Sequence, residues 1–328
     1  MLMTSFTFIQ TPEQLLSAVK ELEQQKELAI DLECENNLHH YGVFISLLQI
    51  SSRSKNLIID VLRLVESRPE ELKPLLAVLE DPKIQKVFHD ISFDFRILHK
   101  QFHCRPQNVF DTQMAALLLG KETLGLGSLL EEYFGIHKES KFQRFDWCRR
   151  PLRSDLLEYA TKDSAYLLPL KDKLSEELNS KNRLKWMEEE SAHLDKTEYP
   201  YQEQQYFDLS NAKKLPPKQL AILHTLFEER EKTAKKLDLP NFMVFRNEVL
   251  LGLVSNPPPD ASSWEKQRGM HPLVRREAAK WLHLITAAQN GPGEAYHHQA
   301  KKLNPQQFEW KEELTELRKK IGAQLGIR

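Results

Sequence analysis

Leu28-Ala29-Ile30-Asp31-Leu32-Glu33 is an apolar run that opens onto two carboxylates one residue apart. Alternation along a strand sends Ile30 and Leu32 into a core and sets Asp31 and Glu33 on one face, about 7 Å apart along the chain. Two anions held side by side point to a cation between them. An acidic pair of this spacing also occurs on solvated strands that bind nothing, so the surrounding chain has to decide.

Upstream, Phe6-Thr7-Phe8-Ile9 reads as a short first strand. Thr11-Pro12-Glu13-Gln14 then reads as a helix start, with Thr11 as cap, Pro12 at the first position and Gln14 closing the box, and the helix should run to about Gln25. Downstream, residues 44–51 and 56–61 are strand-like and flank the polar turn Ser52-Arg53-Ser54-Lys55, so short links imply antiparallel neighbours. Helix and strand then alternate. Residues 69–79 are expected to be helical, 86–88 a buried strand, 94–102 a helix, Val109-Phe110 a strand, and 112–119 and 128–134 helices. Antiparallel strands first and alternating units later give an α/β fold, a mixed sheet flanked by helices.

Residues 138–152 lack periodicity but carry Lys141, Arg144, Arg149 and Arg150 among Phe142, Phe145 and Trp147. Cations interleaved with aromatics suit a loop that touches phosphates and bases, and equally a solvated loop tacked down by its rings. A helical stretch from Ser154, read as its cap, extends to about Asn179 with a bend near Pro169. The polar residues 191–215 mark a boundary. Beyond it Leu220, Leu223, Leu226 and Phe227 form one apolar stripe, residues 242–254 and 273–288 supply others, and a smaller all-α domain follows. Gly291-Pro292-Gly293 ends it, before a last amphipathic helix over 308–325.

A chain of 328 residues has room for two or three domains. With 46 basic and 47 acidic residues the net charge is -1, which neither advertises nor excludes a polyanionic partner. Cys34, Cys104 and Cys148 form no C-x-x-C pair, which fits a reducing compartment and offers no thiolate zinc site. No apolar run reaches membrane length, and Met1-Leu2-Met3-Thr4-Ser5-Phe6 lacks the parts of a signal peptide. The expectation is a soluble, cytoplasmic monomer with no membrane partner.

Acids that could join Asp31 and Glu33 are those at the carboxyl ends of buried strands or on the helices that follow. Asp90 and Asp94 lie just past the strand at 86–88; with Ser92 as helix cap, Asp94 becomes a first-turn residue facing the strand ends, and Asp90 an ordinary turn residue. Tyr159 and Asp163, four apart, share a helix face. Asp111 reads as the cap before Thr112. Four carboxylates with no Cys or His ligand set suit Mg²⁺ or Mn²⁺ in preference to zinc. Two such ions can hold the attacking and leaving oxygens of a phosphoryl displacement, so phosphodiester hydrolysis is the leading chemistry. No Gly-rich phosphate loop supports nucleoside triphosphate hydrolysis, and H-E-x-x-H is absent.

Asp31-Leu32-Glu33, His89 followed five residues later by Asp94, and Tyr159-x-x-x-Asp163 together resemble the three motifs of DEDD-superfamily 3′-5′ exonucleases, tyrosine branch. Phe110-Asp111-Thr112-Gln113, Asp146-Trp147-Cys148-Arg149-Arg150-Pro151-Leu152 and the text from Tyr159 to Pro169 resemble ribonuclease D. Residues 215–289 resemble the HRDC domain that accompanies it. The resemblance implies a ribonuclease H-like sheet and hydrolysis of RNA from its 3′ end, immature tRNA included. It implies that Asp31 is shared by two metal ions, that Glu33 and Asp163 complete the site of the nucleophile-bearing one, that Asp94 holds the second largely through water, and that Tyr159 orients the attacking water. His89, Lys141, Trp147, Arg149 and Arg150 are candidate RNA contacts, with a turn-stabilising role for His89 and loop anchoring for Trp147 and Arg150 as the alternatives. Lys235, Lys236, Arg275 and Arg276 could form a nucleic-acid face or a solvated one. The expected domains are 1–190 (exonuclease), 191–214 (linker), 215–290 (HRDC) and 291–328, a helical extension that looks like the opening helix of a second HRDC-like module. A DNA 3′-5′ exonuclease and a non-catalytic RNA-binding scaffold are the rival readings.

Overall fold

The strand that begins at Glu27 lies inside a six-stranded sheet, with neighbours on both sides. In a computed structural model, which describes residues 5–67, 69–137, 141–296 and 304–327, the strands are β1 (Thr7–Ile9), β2 (Glu27–Asn36), β3 (Val43–Ser51), β4 (Asn56–Asp60), β5 (Gln85–Phe88) and β6 (Val109–Asp111). Their order in the sheet is β1-β4-β3-β2-β5-β6. β3 and β4 are antiparallel, with Leu48 opposite Ile59. β1 is parallel to β4, β5 to β2 with Val87 opposite Ala29, and β6 to β5 with Asp111 opposite Phe88. The expected mixed sheet is therefore present. Leu28, Ala29 and Ile30 are fully buried, as a strand covered on both faces requires.

Nine α-helices among the described residues lie before residue 202: α1 (Pro12–Leu22), α2 (Val61–Ser67), α3 (Lys73–Glu80), α4 (Ser92–Phe102), α5 (Thr112–Leu119), α6 (Leu126–Phe134), α7 (Ser154–Ala165), α8 (Leu167–Ser180) and α9 (Leu184–Leu194). Thr11 and Gln14 close the capping box as expected, but α1 stops at Leu22 because the next residues close into turns, Gln24 N–H donating to Glu21 O and Gln25 N–H to Leu22 O. The long helix from Ser154 is interrupted at Tyr166, three residues before Pro169. Proline removes a donor and crowds the preceding turn, which places the break just upstream of it. Both serines read as caps prove to be first helical residues instead: Ile91 precedes α4 and Arg153 precedes α7, neither with a side-chain cap. Residues 138–140, the start of the basic loop, lie outside the described residues.

By internal contacts the chain divides into two units, one of residues 1–34, 44–201 and 303–328, the other of residues 35–43 and 202–302. The second unit holds α10 (Pro217–Leu237), α11 (Asn241–Val244), α12 (Asn247–Ser255), α13 (Ala261–Glu265), α14 (Pro272–Arg276) and α15 (Ala278–Asn290). The predicted stripe of Leu220, Leu223, Leu226 and Phe227 is buried. It packs around Trp264 and Trp281, whose rings stack with centroids 6.0 Å apart. α16 (Pro305–Leu325) belongs to the first unit, where Arg183 donates to the carbonyl of Leu325. No helix among the described residues is long and apolar enough to cross a membrane.

Candidate active site

Parallel pairing of β2, β5 and β6 brings their carboxyl ends to one edge of the sheet, where open α/β folds present their functional side chains. Asp31 and Glu33 are half-buried there, while Ile30 and Leu32 point into the core. The third acid arrives on α7. Leu156, Leu157 and Ala160 pack that helix against Leu47 and Ile58 of the sheet, and Ser164 Oγ lies 2.7 Å from Ser51 Oγ. This anchoring delivers the buried Asp163 so that one carboxylate oxygen from each of Asp31, Glu33 and Asp163 lies within 4.8 Å of the others. At such spacing two like charges repel by about 3 kcal/mol at an effective dielectric near 20. A divalent cation among them reverses the sign. The donor set is oxygen only, so the residues fit a hard ion such as Mg²⁺ or Mn²⁺.

Asp94 sits in the first turn of α4, outside that triangle but inside its field. Burial, then the charges of Asp31, Asp90 and Asp111, push its carboxyl well above the usual range. Burial, then the charges of Asp94, Glu33 and Asp31, push the Cys34 thiol well above its usual range. Asp111 caps α5 as read, accepting from Gln113 N–H at 2.8 Å. It also accepts from the backbone N–H groups of Asp90 and Ile91 at 3.0 and 3.3 Å. Asp90, in the left-handed region at φ 58°, is thus fixed by Asp111, and the start of the helix carrying Asp94 is fixed with it. Ser92 adds to this turn by donating its hydroxyl to Asp90 Oδ1 at 3.4 Å, and α4 itself starts without a side-chain cap.

His89 lies in the same turn. Its Nδ1 is 2.9 Å from Thr112 Oγ1, which donates to Phe88 O. Tyr159 stands one helical turn before Asp163, almost wholly buried, between Trp147 (centroids 6.3 Å apart, stacked) and Phe142 (5.3 Å, edge-on). Trp147 is buried, whereas Lys141 and Arg149 are exposed. The Lys141 ammonium is 4.8 Å from the Phe142 ring centroid, and Arg149 pairs with Asp146 at 3.1 Å. Arg150 turns inward and grips Asp60 with two parallel bonds of 2.9 and 2.7 Å. Asp60, the last residue of β4, and Ser46 of β3 were not singled out by the motif reading. Neither belongs to a motif, and only the folded chain sets them under the loop.

A family profile described as 3′-5′ exonuclease matches residues 6–179, more than half of the chain. The chain belongs to the 3′-5′ exonuclease family. A second profile, the HRDC domain, matches residues 219–285. Among curated relatives, the "Exosome complex exonuclease RRP6" of Saccharomyces cerevisiae is 28% identical over 86% of this chain and 40% of its own length. A "Ribonuclease D" of Granulibacter bethesdensis is 29% identical over 80% and 66%. The crystal structure of Escherichia coli RNase D, titled an exoribonuclease involved in structured RNA processing, superposes with TM-score 0.76 at 26% identity, covering 99% of this chain and 86% of that one. The resemblance to ribonuclease D read from the motifs is borne out. The chain spans 33 to 40% of the length of the exosome-named relatives reported first among its matches.

Proposed function

We propose that the chain is a metal-dependent 3′-5′ exoribonuclease that hydrolyses RNA from a free 3′ end and releases 5′-mononucleotides. The observation that carries this reading is the meeting of Asp31, Glu33 and Asp163 at one sheet edge, within 4.8 Å, in a chain of the exonuclease family. Asp31, Glu33 and Asp163, with Asp94, would hold two divalent ions, Mg²⁺ or Mn²⁺, which when bound supply Lewis acidity for water activation and for the departing 3′ oxygen. Asp31 would serve both positions. Tyr159 holds the attacking water in line through its phenol oxygen. Asp111 fixes the turn before Asp94, and the packing of α7 fixes Asp163, so the ligands are set before substrate arrives.

The substrates we infer are RNAs with accessible 3′ ends, tRNA precursors among them, met by a monomer in the cytoplasm. Residues 1–190 form the exonuclease domain in this reading, 191–214 the linker, 215–290 the HRDC domain and 291–328 an extension. The exposed Lys235, Lys236, Arg275 and Arg276 of the HRDC domain are available to phosphates. Matched RNA and DNA oligonucleotides, incubated with the protein in Mg²⁺ and in EDTA, test the proposal. Stepwise loss of RNA 3′ nucleotides in Mg²⁺ alone is expected. Preference for DNA transfers the enzyme to the rival substrate, and undiminished activity in EDTA contradicts the metal chemistry.

A further inference from the structure

Beneath the backbone at Trp147 lies an ion pair that no motif announces, between the buried Asp60 and the half-buried Arg150. Asp60 closes β4 with no solvent exposure, and Arg150 meets both of its oxygens in the forked geometry that gives guanidinium–carboxylate pairs their directional stiffness. The same guanidinium donates through one terminal nitrogen to the carbonyl of Trp147 at 2.6 Å and through the other to Ser46 Oγ at 3.2 Å. Ser46 Oγ donates to that Trp147 carbonyl as well, at 2.5 Å. Trp147 is therefore held at its backbone from two sides. Its indole stacks on Tyr159, tilted by 26°. Phe145 and Phe142 extend the wall, with ring centroids 5.7 Å from Trp147 and 5.3 Å from Tyr159 respectively.

The arrangement is costly in isolation. Asp60 is also met by Gln10 Nε2 at 3.4 Å and by the Arg63 N–H at 3.3 Å, but removing one partner of a buried ion pair is strongly destabilising. The Trp147 indole N–H is also buried, with no acceptor among the described residues, and such a group typically costs about 1–3 kcal/mol. A loop that only needed to be tied down could rest on its apolar rings. What the extra polar anchoring adds is a fixed height and tilt for the surface against which Tyr159 leans.

We infer that Asp60, Arg150 and Ser46 are positioning residues for hydrolysis: they lock the loop backbone at Trp147 so that the Trp147 and Phe142 rings hold the Tyr159 phenol where the attacking water is bound. Arg150 is then not an RNA contact. The inference rests on the proposed role of Tyr159. Displacing a group by an ångström in a reaction centre can reduce rate by about 100-fold, so loosening this clamp lowers kcat while the metal ligands and the RNA path stay intact.

A double-mutant cycle on the full chain tests it. Arg150→Lys keeps the charge and loses the fork. Alone, it is expected to lower kcat by about 10- to 100-fold, with KM for a short RNA and the Mg²⁺-induced rise in Tm unchanged. Placed on Tyr159→Phe, it is expected to cost less than about twofold more, because the group it positions is gone. Arg150→Ala supplies a second readout: added guanidinium should restore kcat in a saturable way. Equal losses in both backgrounds, or a rise in KM without a fall in kcat, overturn the inference. So does a lack of guanidinium rescue in an Arg150→Ala protein whose circular dichroism matches wild type. Wild-type activity that survives EDTA instead overturns the functional reading beneath it, a result the cycle itself cannot produce.

Discussion

The two ends of β2 hold acids in opposite electrostatic settings. Glu27, at its start, is met by Lys171 Nζ at 2.6 Å and by Arg53, which also grips Asp172. Burial works to raise the Glu27 pKa, but the bonds and charges of Lys171 and Arg53 outweigh it, and the net direction is down. At the other end, burial of Asp94 is reinforced by Asp31, Asp90 and Asp111, and the direction is up. β2 thus starts in a neutralised network at Glu27 and, at Asp31, meets an accumulation of like charge with Asp94 of α4, Asp90 of the turn before it and Asp111 of β6. The first is scaffold. The second conflicts with stability unless a cation arrives, and such conflicts concentrate where function is performed.

This contrast can be broken by substitution. Asp31→Asn removes the central ligand and is expected to reduce nucleotide release by roughly 10²–10³-fold, the scale of losing one electrostatic stabiliser in a reaction centre. Circular dichroism and Tm in metal-free buffer should stay at wild-type values or rise, since one repelling charge is gone. A fall in Tm would mean that Asp31 supports the scaffold after all.

Between the two ends runs a third setting, a fully buried base. Lys86 on β5 has no exposure, and its ammonium donates to the carbonyls of Asp81 and Ile84. Burial lowers its pKa to about 8, against the pull of Asp81 and Asp195. The folded value lies below the unfolded value of about 10.4, so the unfolded chain binds more protons between these limits and stability rises with pH across that window. The expected gain from pH 8 to above 10 is roughly 2–3 kcal/mol from this group. Chemical denaturation of wild type and Lys86→Met over that range checks it: the variant should lose that part of the slope.

Metal should sharpen the difference further. An ion that binds only the folded chain stabilises it by about 2.7 kcal/mol at 100 times its dissociation constant. Mg²⁺ is expected to raise Tm of wild type and of Glu27→Gln, and to leave Asp31→Asn unmoved. The smallest effect belongs to the scaffold end. Arg53→Ala removes a half-exposed pair, for which a loss of about 1 kcal/mol or less is expected, with exonuclease rate unaltered.

The tip of β2 was legible in the sequence and the clamp beneath Trp147 was not, for physical reasons. Asp31, Glu33 and Asp94 follow strands whose apolar pattern is local, so periodicity singles them out; Asp163 pairs with Tyr159 by their spacing of four on a helix and joins the others through the family resemblance. Asp111 was read as the cap of α5, but its reach to Asp90 and Ile91 depends on the parallel register of β5 and β6, which no local pattern encodes. Ser92, read as a cap, is instead the first residue of α4, and Ile91 before it makes no side-chain cap. Asp60 ends a strand as many aspartates do, and only the return of the chain 90 residues later, with Arg150, gives it a partner. Lys141 and Arg149, which composition offers equally as phosphate contacts or as parts of a solvated loop, are exposed beside Phe142 and Asp146.

The most direct measurement is anomalous diffraction from crystals of the protein soaked in Mn²⁺ with a short RNA. The account predicts manganese bounded by the carboxylates of Asp31, Glu33 and Asp163, with the RNA 3′ end beside it and Asp94 facing a second peak. Manganese bound elsewhere, with those three carboxylates turned away from the RNA, would contradict it.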